Sequence, residues 1–282
     1  MSRTDGAGDW YALNRANWDE RTAVHLGPDG YDVSSQRAGS GRLDAISEAE
    51  LGPVTGLRVL HLQCHIGDDS IAIAQRGAAE VVGVDFSPPA VQAAQALAAE
   101  CGVANARFVL SDVLEAPAAL PGEAGKFDLV FTTWGTIGWY PDIARWGQVV
   151  GHFLRPGGAL YFADLHPAAA VFDGLANPDD TEARPGWLMP YFGRAPQVFD
   201  DLTDYADPSA RLVNSRTVSW LHPLADILGA LRDAGLQLDW LHEHPRLPWQ
   251  LFPGLMRDAD GLWTWPGRPW LPLAVSLRAV RG

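Results

Sequence analysis

Lysine is almost absent from this sequence. Lys126 is the single lysine among 282 residues, and Asp and Glu outnumber Lys and Arg by 34 to 21. Binding to the phosphates of nucleic acids or of an anionic membrane requires clustered Lys and Arg side chains. The sequence has no such cluster and a formal net charge of −13. Neither nucleic acid nor an anionic membrane surface is therefore an expected partner.

Cysteine and long apolar runs are also scarce. The two cysteines, Cys64 and Cys101, are too few for a disulfide framework or a four-cysteine metal cluster. No apolar run is long enough to span a bilayer, and the opening "MSRTDGAGDW" lacks the apolar core of a signal peptide. These absences predict a soluble cytoplasmic protein.

What is present is an alternation of apolar runs and helical patterns in the middle of the chain. The short, nearly continuous apolar runs are "LRVLHLQ", "EVVGVD", "ARFVL", "FDLVFTTW" and "GGALYFAD". Such runs are typical of strands that are buried on both faces of a parallel sheet. Between them lie the helical patterns "DSIAIAQRG", "SPPAVQAAQALAAECG" and "DIARWGQVVGHF", the second with Ser87 as its N-cap. Residues 55–164 are therefore predicted to form a doubly wound α/β core.

Polar residues follow the predicted strands at the edge where such sheets bind ligands. Asp85 ends the second strand and Asp112 follows the third. Each could simply cap a helix or shape a turn. Together they indicate an adenosine site, in which Asp85 binds the ribose hydroxyls and Asp112 the adenine amine. Phe86 would then lie on the adenine face.

The loop after the first strand lacks most of the glycines that a pyrophosphate-binding loop needs. It reads "QCHIGDD", in which only Gly67 remains and is followed by Asp68 and Asp69. Two carboxylates at a helix start are favourable for the helix dipole but repel a pyrophosphate. They do not repel a sulfonium beside an ammonium group. The charges therefore favour S-adenosylmethionine over NAD.

Five stretches, taken in order and spacing, resemble the motifs of class I S-adenosylmethionine-dependent methyltransferases of the small-molecule type. They are "VLHLQCHIGDDS", "VVGVDFSPPAVQAAQ", "FVLSDV", "FDLVFTTWG" and "FLRPGGALYFAD". The "HLQCH" form of the first motif is similar to a subgroup of these enzymes. The resemblance implies a Rossmann-like, mostly parallel seven-stranded sheet whose last strand is antiparallel. "LQLDWLHEH" and "LPLAVSLRAV" would be its sixth and seventh strands, preceded by the helix "PLADILGALRDAG".

The resemblance also implies roles for individual residues. Asp85, Phe86 and Asp112 keep the roles given above, and Val113 would supply a backbone donor to the adenine. Four residues would hold the methionine end of the cofactor: Gln63, Gly67, Thr132 and Thr133. The sequence departs from the family where His61 replaces an acidic residue and where Gln63 and His65 replace glycines.

Residues 1–54 precede the core and are interpreted as a helical lid over the cofactor. Trp18 and Arg21 could then contact its methionine carboxylate. Alternatively, the segment is an amphipathic helix that packs on the core with Trp18 as its anchor. Lids of this kind exclude water from a reaction.

Residues 165–222 are predicted to form an inserted substrate cap, and residues 223–282 to return to the core sheet. "VFDDLTDYAD" and "RLVNSRTVSW" alternate as the strands of a β-hairpin do. Aromatic residues are dense in the insertion and between Trp240 and Trp270. They either pack against each other or line an apolar pocket for a small-molecule substrate.

Methyl transfer to a hydroxyl or amine can use a base that removes a proton. His166, just past the fifth strand, is the first candidate, followed by His25 and Tyr31. Each could instead position the substrate or be structural, and an activated acceptor would need no base.

Other hypotheses remain open at this stage. His61, Cys64 and His65 could form a zinc site, although adjacent residues point apart along a strand. Cys64 could be a reactive thiol or a small buried one. The chain could also be an NAD-dependent oxidoreductase, or a protein that binds S-adenosylmethionine without methylating.

Overall fold

A computed structural model describes residues 9–173, 186–267 and 269–282 of the chain. Residues 1–8 of the predicted lid and 174–185 of the predicted cap lie outside the described residues. None of the helices in the described ranges is long and apolar enough to cross a membrane.

Helices and strands alternate through the middle of the chain. The α-helices are α1 (Trp10–His25), α2 (Ser34–Arg37), α3 (Ala45–Glu50), α4 (Asp68–Gln75), α5 (Pro88–Glu100), α6 (Ala116–Ala119), α7 (Ile143–Phe153) and α8 (Leu224–Asp233). The strands are β1 (Arg58–Leu62), β2 (Glu80–Asp85), β3 (Ala106–Leu110), β4 (Phe127–Thr133), β5 (Leu154–Leu165), β6 (Phe172–Asp173), β7 (Gly186–Trp187), β8 (Gln197–Asp200), β9 (Arg216–Ser219), β10 (Leu236–His244), β11 (Arg246–Leu247), β12 (Met256–Arg257), β13 (Trp263–Thr264) and β14 (Ala274–Arg281). Short 3₁₀-helices cover Val113–Glu115, Ile137–Trp139 and Ala169–Val171.

Seven strands form one sheet in the order β10-β14-β5-β4-β1-β2-β3. The strands β1 to β5 are parallel, and β14 runs antiparallel to both of its neighbours. This confirms the predicted doubly wound, mostly parallel seven-stranded sheet. Chain order reverses between β1 and β4, so the crevice beyond their carboxyl ends is the expected ligand site.

The apolar runs become strands because helices cover both faces of the sheet. Val59, Leu60 and Leu62 of β1 are fully buried. Trp146 and Phe153 of α7 are fully buried against one face. Ser87 caps α5 as predicted, and its hydroxyl accepts a hydrogen bond from the Ala90 amide. These features fix the strand ends that carry the polar residues of the site.

Helix α1 is joined to the inserted segment by side-chain amides. Asn14 donates to the Val218 carbonyl oxygen and accepts from the Val218 amide, both at 2.8 Å. Asn17 donates to the carbonyl oxygen of Asn214 at 2.6 Å. These hydrogen bonds attach the helix to β9 and to the residues just before that strand.

The inserted segment contains the predicted hairpin, because β8 pairs antiparallel with β9. Many of the later aromatic residues pack against each other, as Phe252 and Trp265 do with stacked rings 5.4 Å apart. Trp249 is different, because it reaches the cavity described next.

Candidate active site

A cavity of about 540 Å³ lies at the carboxyl ends of β1, β2 and β4. Its wall combines the loops after these strands with α1 and with residues from the two later segments. Eight of the thirteen predicted site residues line it: Trp18, Tyr31, Gln63, Asp85, Phe86, Asp112, Val113 and Thr133. His61 and His65, which depart from the family pattern, line it as well.

The loop after β1 has the left-handed backbone conformations of a glycine-rich loop, although glycine occupies only one of the three positions. Gln63, His65 and Gly67 have φ angles of 59°, 47° and 77°. A non-glycine residue in this left-handed region costs roughly 1–2 kcal/mol. Gln63 is held there by its side chain, which donates to Thr136 O at 2.8 Å and accepts from the Tyr140 hydroxyl at 2.5 Å. Side-chain hydrogen bonds thus maintain a conformation that glycine would adopt without strain.

Asp85 connects this loop to the start of α5. One carboxylate oxygen accepts from the His65 amide and the other from the Ser87 amide, each at 2.9 Å. Burial raises the pKa of Asp85 to about 6, although these amides favour the ionised form. Each carboxylate oxygen can accept more than one hydrogen bond, so capacity remains for ligand hydroxyls.

We expect ligand binding at Asp85 to depend on pH. Ribose hydroxyls donate more strongly to a carboxylate than to a protonated carboxyl. Because the pKa is near 6, binding should strengthen as the pH rises through that value and weaken below it. The affinity for S-adenosylhomocysteine, measured by calorimetry, should be about tenfold lower near pH 5 than near pH 7. The Asp85→Asn protein should bind more weakly and show a flatter profile; an equally steep one would assign the dependence to another group.

Phe86 and Asp112 lie on the same wall. The Phe86 ring meets Tyr11 edge to face, with centroids 5.8 Å apart. Asp112 caps a 3₁₀-helix by accepting from the Leu114 amide at 2.9 Å. The structure thus gives Asp112 the turn-shaping role considered for it and also places it on the cavity wall.

The loop after β4 is held by a carboxylate that the sequence did not single out. Asp164, at the end of β5, accepts from the amides of Gly135 and Thr136 at 2.6 and 2.9 Å. Between them and β4 lies Trp134, whose φ is 59° and whose indole donates to Asp44 at 2.8 Å. The loop conformation therefore depends on two aspartates from other elements.

The acidic start of α4 lies on the cavity wall. Asp68 and Asp69 are its first two residues and both line the cavity. Burial raises the pKa of Asp69 well above its usual value, and the neighbouring Asp68 adds to the shift. A pyrophosphate here would add negative charge to a site that already disfavours it.

The histidines of the first motif point in different directions. Nδ1 of His61 is 2.8 Å from the Ser70 hydroxyl, whereas Nε2 of His65 is 2.7 Å from Nδ1 of His25. Cys64 is buried, and burial raises the pKa of its thiol. In the described ranges, no group of three or more His, Cys, Asp or Glu side chains could hold a metal ion.

Five predicted residues lie off the cavity wall: Arg21, His25, Gly67, Thr132 and His166. Arg21 donates to Asp204 at 2.7 Å, so its charge is neutralised there rather than offered to a ligand carboxylate. Thr132 is fully buried because side chains alternate along β4, which brings Thr133 to the cavity instead.

His166 is placed away from the expected position of the reaction. Its Nδ1 accepts from the Ala168 amide at 3.1 Å, and its Nε2 lies 3.0 Å from a Glu243 carboxylate oxygen. His25 lies behind His65 and is fully buried. Gly67 packs under α5, where an added Cβ would lie 2.6 Å from the Phe108 ring.

The remaining wall is rich in aromatic side chains, of which Tyr205 and Trp249 belong to the segments whose aromatic residues were predicted either to pack together or to line a pocket. The aromatic side chains of this wall are Trp10, Tyr11, Trp134, Trp139, Tyr140, Tyr205 and Trp249. They come from α1, the loop after β4, the inserted segment and the C-terminal segment. A cavity with this wall fits a ligand with extended apolar or aromatic surface.

Comparison with known proteins agrees with this geometry. Residues 59–158 match the methyltransferase domain family. The chain is 32% identical over 131 residues to a ubiquinone biosynthesis O-methyltransferase of Ralstonia nicotianae, covering 46% of this chain and 52% of that protein. It is 29% identical over 201 residues to the aklanonic acid methyltransferase of Streptomyces sp. (strain C5), covering 69% of this chain and 79% of that protein.

A solved structure has the same fold. The S-adenosylmethionine-dependent methyltransferase from Mesorhizobium loti superposes with a TM-score of 0.58 at 22% identity, over 84% of this chain and 96% of that chain. The chain spans about half the length of several relatives, including the Ralstonia enzyme and, at 48%, a demethylmenaquinone methyltransferase of Lactococcus lactis.

The fold and the site define a Rossmann-like domain with a cavity at the switch point of its sheet. Residues 59–158, which match the methyltransferase domain family, form the centre of this fold, and the fold is the one seen in the solved S-adenosylmethionine-dependent methyltransferase.

Proposed function

We propose that this protein transfers a methyl group from S-adenosylmethionine to a small aromatic metabolite. The observation that carries the proposal is a single cavity whose wall joins an adenosine-type end to an aromatic end. Relatives are named for ubiquinone biosynthesis, demethylmenaquinone and aklanonic acid, which supports an acceptor of this class.

The residues present fit the cofactor. Asp85 would hold the ribose hydroxyls, with Phe86 against the adenine and Asp112 and Val113 at its polar edge. Gln63 and Thr133 would lie along the methionine part. The cofactor supplies an electrophilic methyl group on a sulfonium, and the chain positions the acceptor and excludes water.

The acidic wall supports this cofactor over a dinucleotide. Asp68 and Asp69 face the cavity where a doubly wound dinucleotide domain would receive its pyrophosphate. A cationic sulfonium and ammonium are compatible with that wall, whereas two phosphates are repelled by it.

Calorimetry with S-adenosylmethionine, S-adenosylhomocysteine and NAD tests the cofactor. We expect both sulfur nucleotides to bind and NAD not to bind. A radiolabelled methyl donor offered with a panel of phenols, quinols, amines and carboxylic acids then tests the transfer. Binding without transfer to any acceptor would favour a non-methylating role, and absence of binding would refute the proposal.

Trp249 should contribute to the acceptor site and not to the cofactor site. It lies on the cavity wall next to Trp134, with ring centroids 6.1 Å apart. In Trp249→Ala, the KM for an acceptor should rise by about tenfold because an aromatic contact and its buried area are lost. The affinity for S-adenosylhomocysteine should stay within about twofold.

Trp187→Ala is the matched control, because Trp187 is 81% exposed and away from this cavity. Its KM should not change. A weaker cofactor affinity in Trp249→Ala, with an unchanged acceptor KM, would contradict this and place Trp249 at the cofactor end of the cavity.

A further inference from the structure

A chain of four polar side chains runs from the cavity wall into the protein. Nε2 of His65 is 2.7 Å from Nδ1 of His25. Nε2 of His25 is 3.1 Å from both carboxylate oxygens of Asp204, and Arg21 donates to that carboxylate at 2.7 Å. Of these four, His65 lies on the cavity wall, and the His25 and Asp204 side chains are fully buried behind it.

The buried end of this chain fixes the position of each hydrogen atom. Asp204 accepts and cannot donate when ionised, so Nε2 of His25 carries a hydrogen. In a neutral His25 ring, Nδ1 is then an acceptor, and the hydrogen between the rings belongs to Nε2 of His65. Nδ1 of a neutral His65 therefore has no hydrogen and a free lone pair.

That lone pair is available to a ligand. Nδ1 of His65 takes part in none of the hydrogen bonds between described residues, nor is it among their buried polar atoms without a partner. The His65 amide is bonded to Asp85, and His65 is two residues from Gln63. Because the sulfonium joins the ribose to the methionine chain, His65 lies beside the part of the site where the methyl group leaves.

We propose that His65 is the general base of the methyl transfer, that His25 and Asp204 are its positioning residues, and that the acceptor is an aromatic hydroxyl. This inference rests on the proposed function. A base is needed because a neutral phenol is a poor nucleophile and its methylated oxygen must lose a proton. The aromatic wall described above suits such an acceptor.

The step balances without any further reactant. The hydroxyl oxygen forms a bond to the methyl carbon, and the carbon–sulfur bond breaks with its electron pair left on sulfur. The hydroxyl proton moves to Nδ1 of His65. The hydrogen on Nε2 of His65 can then move to Nδ1 of His25, which places the positive charge next to the Asp204 carboxylate.

The surroundings keep the resting His65 ring neutral. Burial, with a smaller contribution from the neighbouring His25, lowers the pKa of His65 to about 3. Although burial opposes it, the hydrogen bond from His25 holds the pKa of Asp204 below its usual value, and Arg21 adds to this effect. Because protonated His65 is unfavourable, transfer of a proton from His65 to His25 lowers the energy of the charged state, since His25 lies beside the Asp204 carboxylate.

The other groups that face the two imidazoles come from several elements. They are Trp18, Tyr31, Asp68, Arg21 and Tyr205. Tyr31 stacks on His25 at 4.5 Å, and its hydroxyl contacts that of Tyr205. The pKa of both tyrosines is raised by burial, so their hydroxyls stay protonated and do not compete as bases at neutral pH.

Nitrogen-15 NMR of the histidine-labelled protein, saturated with S-adenosylhomocysteine, tests the hydrogen positions without turnover. Long-range proton–nitrogen spectra should show neutral His65 and His25 rings with the hydrogen on Nε2, from about pH 6 to pH 8. His65→Gln and His25→Gln assign the signals, and Asp204→Asn should change the tautomer of His25. A hydrogen on Nδ1 of His65 would overturn the proposal.

Kinetics test the role of the base. With a phenol acceptor found in the panel, His65→Gln should lower kcat by about a hundredfold or more, within the range for general bases. The KM for S-adenosylmethionine should change little. With 4-nitrophenol, which ionises by itself near neutral pH, the loss should be much smaller. His152→Gln is the matched control on the exposed face of α7 and should keep full activity.

The outcomes separate the two proposals. Absence of S-adenosylhomocysteine binding by the unaltered protein refutes the proposed function. Normal binding with the predicted tautomers, and a kcat loss confined to unionised phenols, supports His65 as the base. Equal loss for both phenols, a loss of cofactor affinity alone, or transfer restricted to neutral amines or thiols would overturn this inference and leave the four side chains as a structural link.

Discussion

Replacing Asp85 with alanine is expected to weaken S-adenosylhomocysteine binding by about ten- to a hundredfold. Hydrogen bonds to a charged group contribute about 1.5–3 kcal/mol, and each 1.4 kcal/mol is about tenfold in affinity. The carboxylate is buried on the cavity wall and organises the loop that would hold the methionine part. The change therefore removes ligand contacts and loosens the loop together.

The same substitution should destabilise the free protein. The amides of His65 and Ser87 lose their acceptor, and an unsatisfied buried donor costs about 1–3 kcal/mol. Binding must therefore be measured at a temperature at which circular dichroism shows a folded protein.

Asp128→Ala is the matched control for Asp85→Ala. Asp128 also accepts a hydrogen bond from a backbone amide, that of Arg58 at 2.7 Å. It lies near the start of β4, at the opposite end of the strands from the cavity. It should lower stability and leave the affinity for S-adenosylhomocysteine unchanged. If folded Asp85→Ala binds as tightly as Asp128→Ala, the ribose site has been assigned to the wrong strand end.

The second large effect is expected at Gly67. A Cβ there would lie 2.6 Å from the Phe108 ring and 2.7 Å from the Ala94 side chain, at a φ of 77°. Overpacking costs about 1–3 kcal/mol and a left-handed alanine about 1–2 kcal/mol. Gly67→Ala should therefore lower the free energy of unfolding by roughly 2–5 kcal/mol in urea denaturation.

Two other glycines separate the two contributions. Gly83 has ordinary backbone geometry, but its Cβ would lie 2.6 Å from the same Phe108 ring. Gly102 has a φ of 66° with nothing within 4 Å of an added Cβ. Gly83→Ala should show the packing cost alone and Gly102→Ala the backbone cost alone. If Gly67→Ala costs no more than Gly102→Ala, Phe108 moves aside and the close packing carries no penalty.

The sheet and the placement of Asp85 and Asp112 on one cavity wall could be predicted because local sequence determines them. Strands that are buried on both faces must be apolar throughout, so β1, β2, β4 and the second half of β5 were recognisable. The edge strand β3 is only partly buried, although its sequence is as apolar as theirs. Asp85 and Asp112 stand at strand ends, and the carboxyl ends of parallel strands meet at one edge of a sheet. Their positions along the chain therefore placed them near each other in space.

The other end of the site could not be predicted because docking of distant segments creates it. Arg21 and Asp204 are 183 residues apart, and no periodicity connects them. Arg21 was expected to face a ligand, but it forms an ion pair with the buried Asp204 carboxylate instead. Trp249 and Tyr205 belong to irregular segments whose path over the sheet leaves no pattern in the sequence.

The contacts of His65 could not be predicted from the sequence. The sequence revealed that it replaces a glycine, which marked it as a departure without giving it a role. The backbone of His65 is in the left-handed region, and its ring contacts His25 of α1. Only the position of α1 relative to the loop reveals that pairing.

The amide bridges between α1 and β9 have a consequence for the exchange of ligands. The side-chain amides of Asn14 and Asn17 join the helix to the insertion by hydrogen bonds to the backbone of Val218 and Asn214. The two segments, which both contribute side chains to the cavity wall, are therefore expected to move together and not as two independent flaps. Entry and exit of a ligand of the cavity would then depend on the same motion, so a substitution that slows entry is expected to slow exit as well.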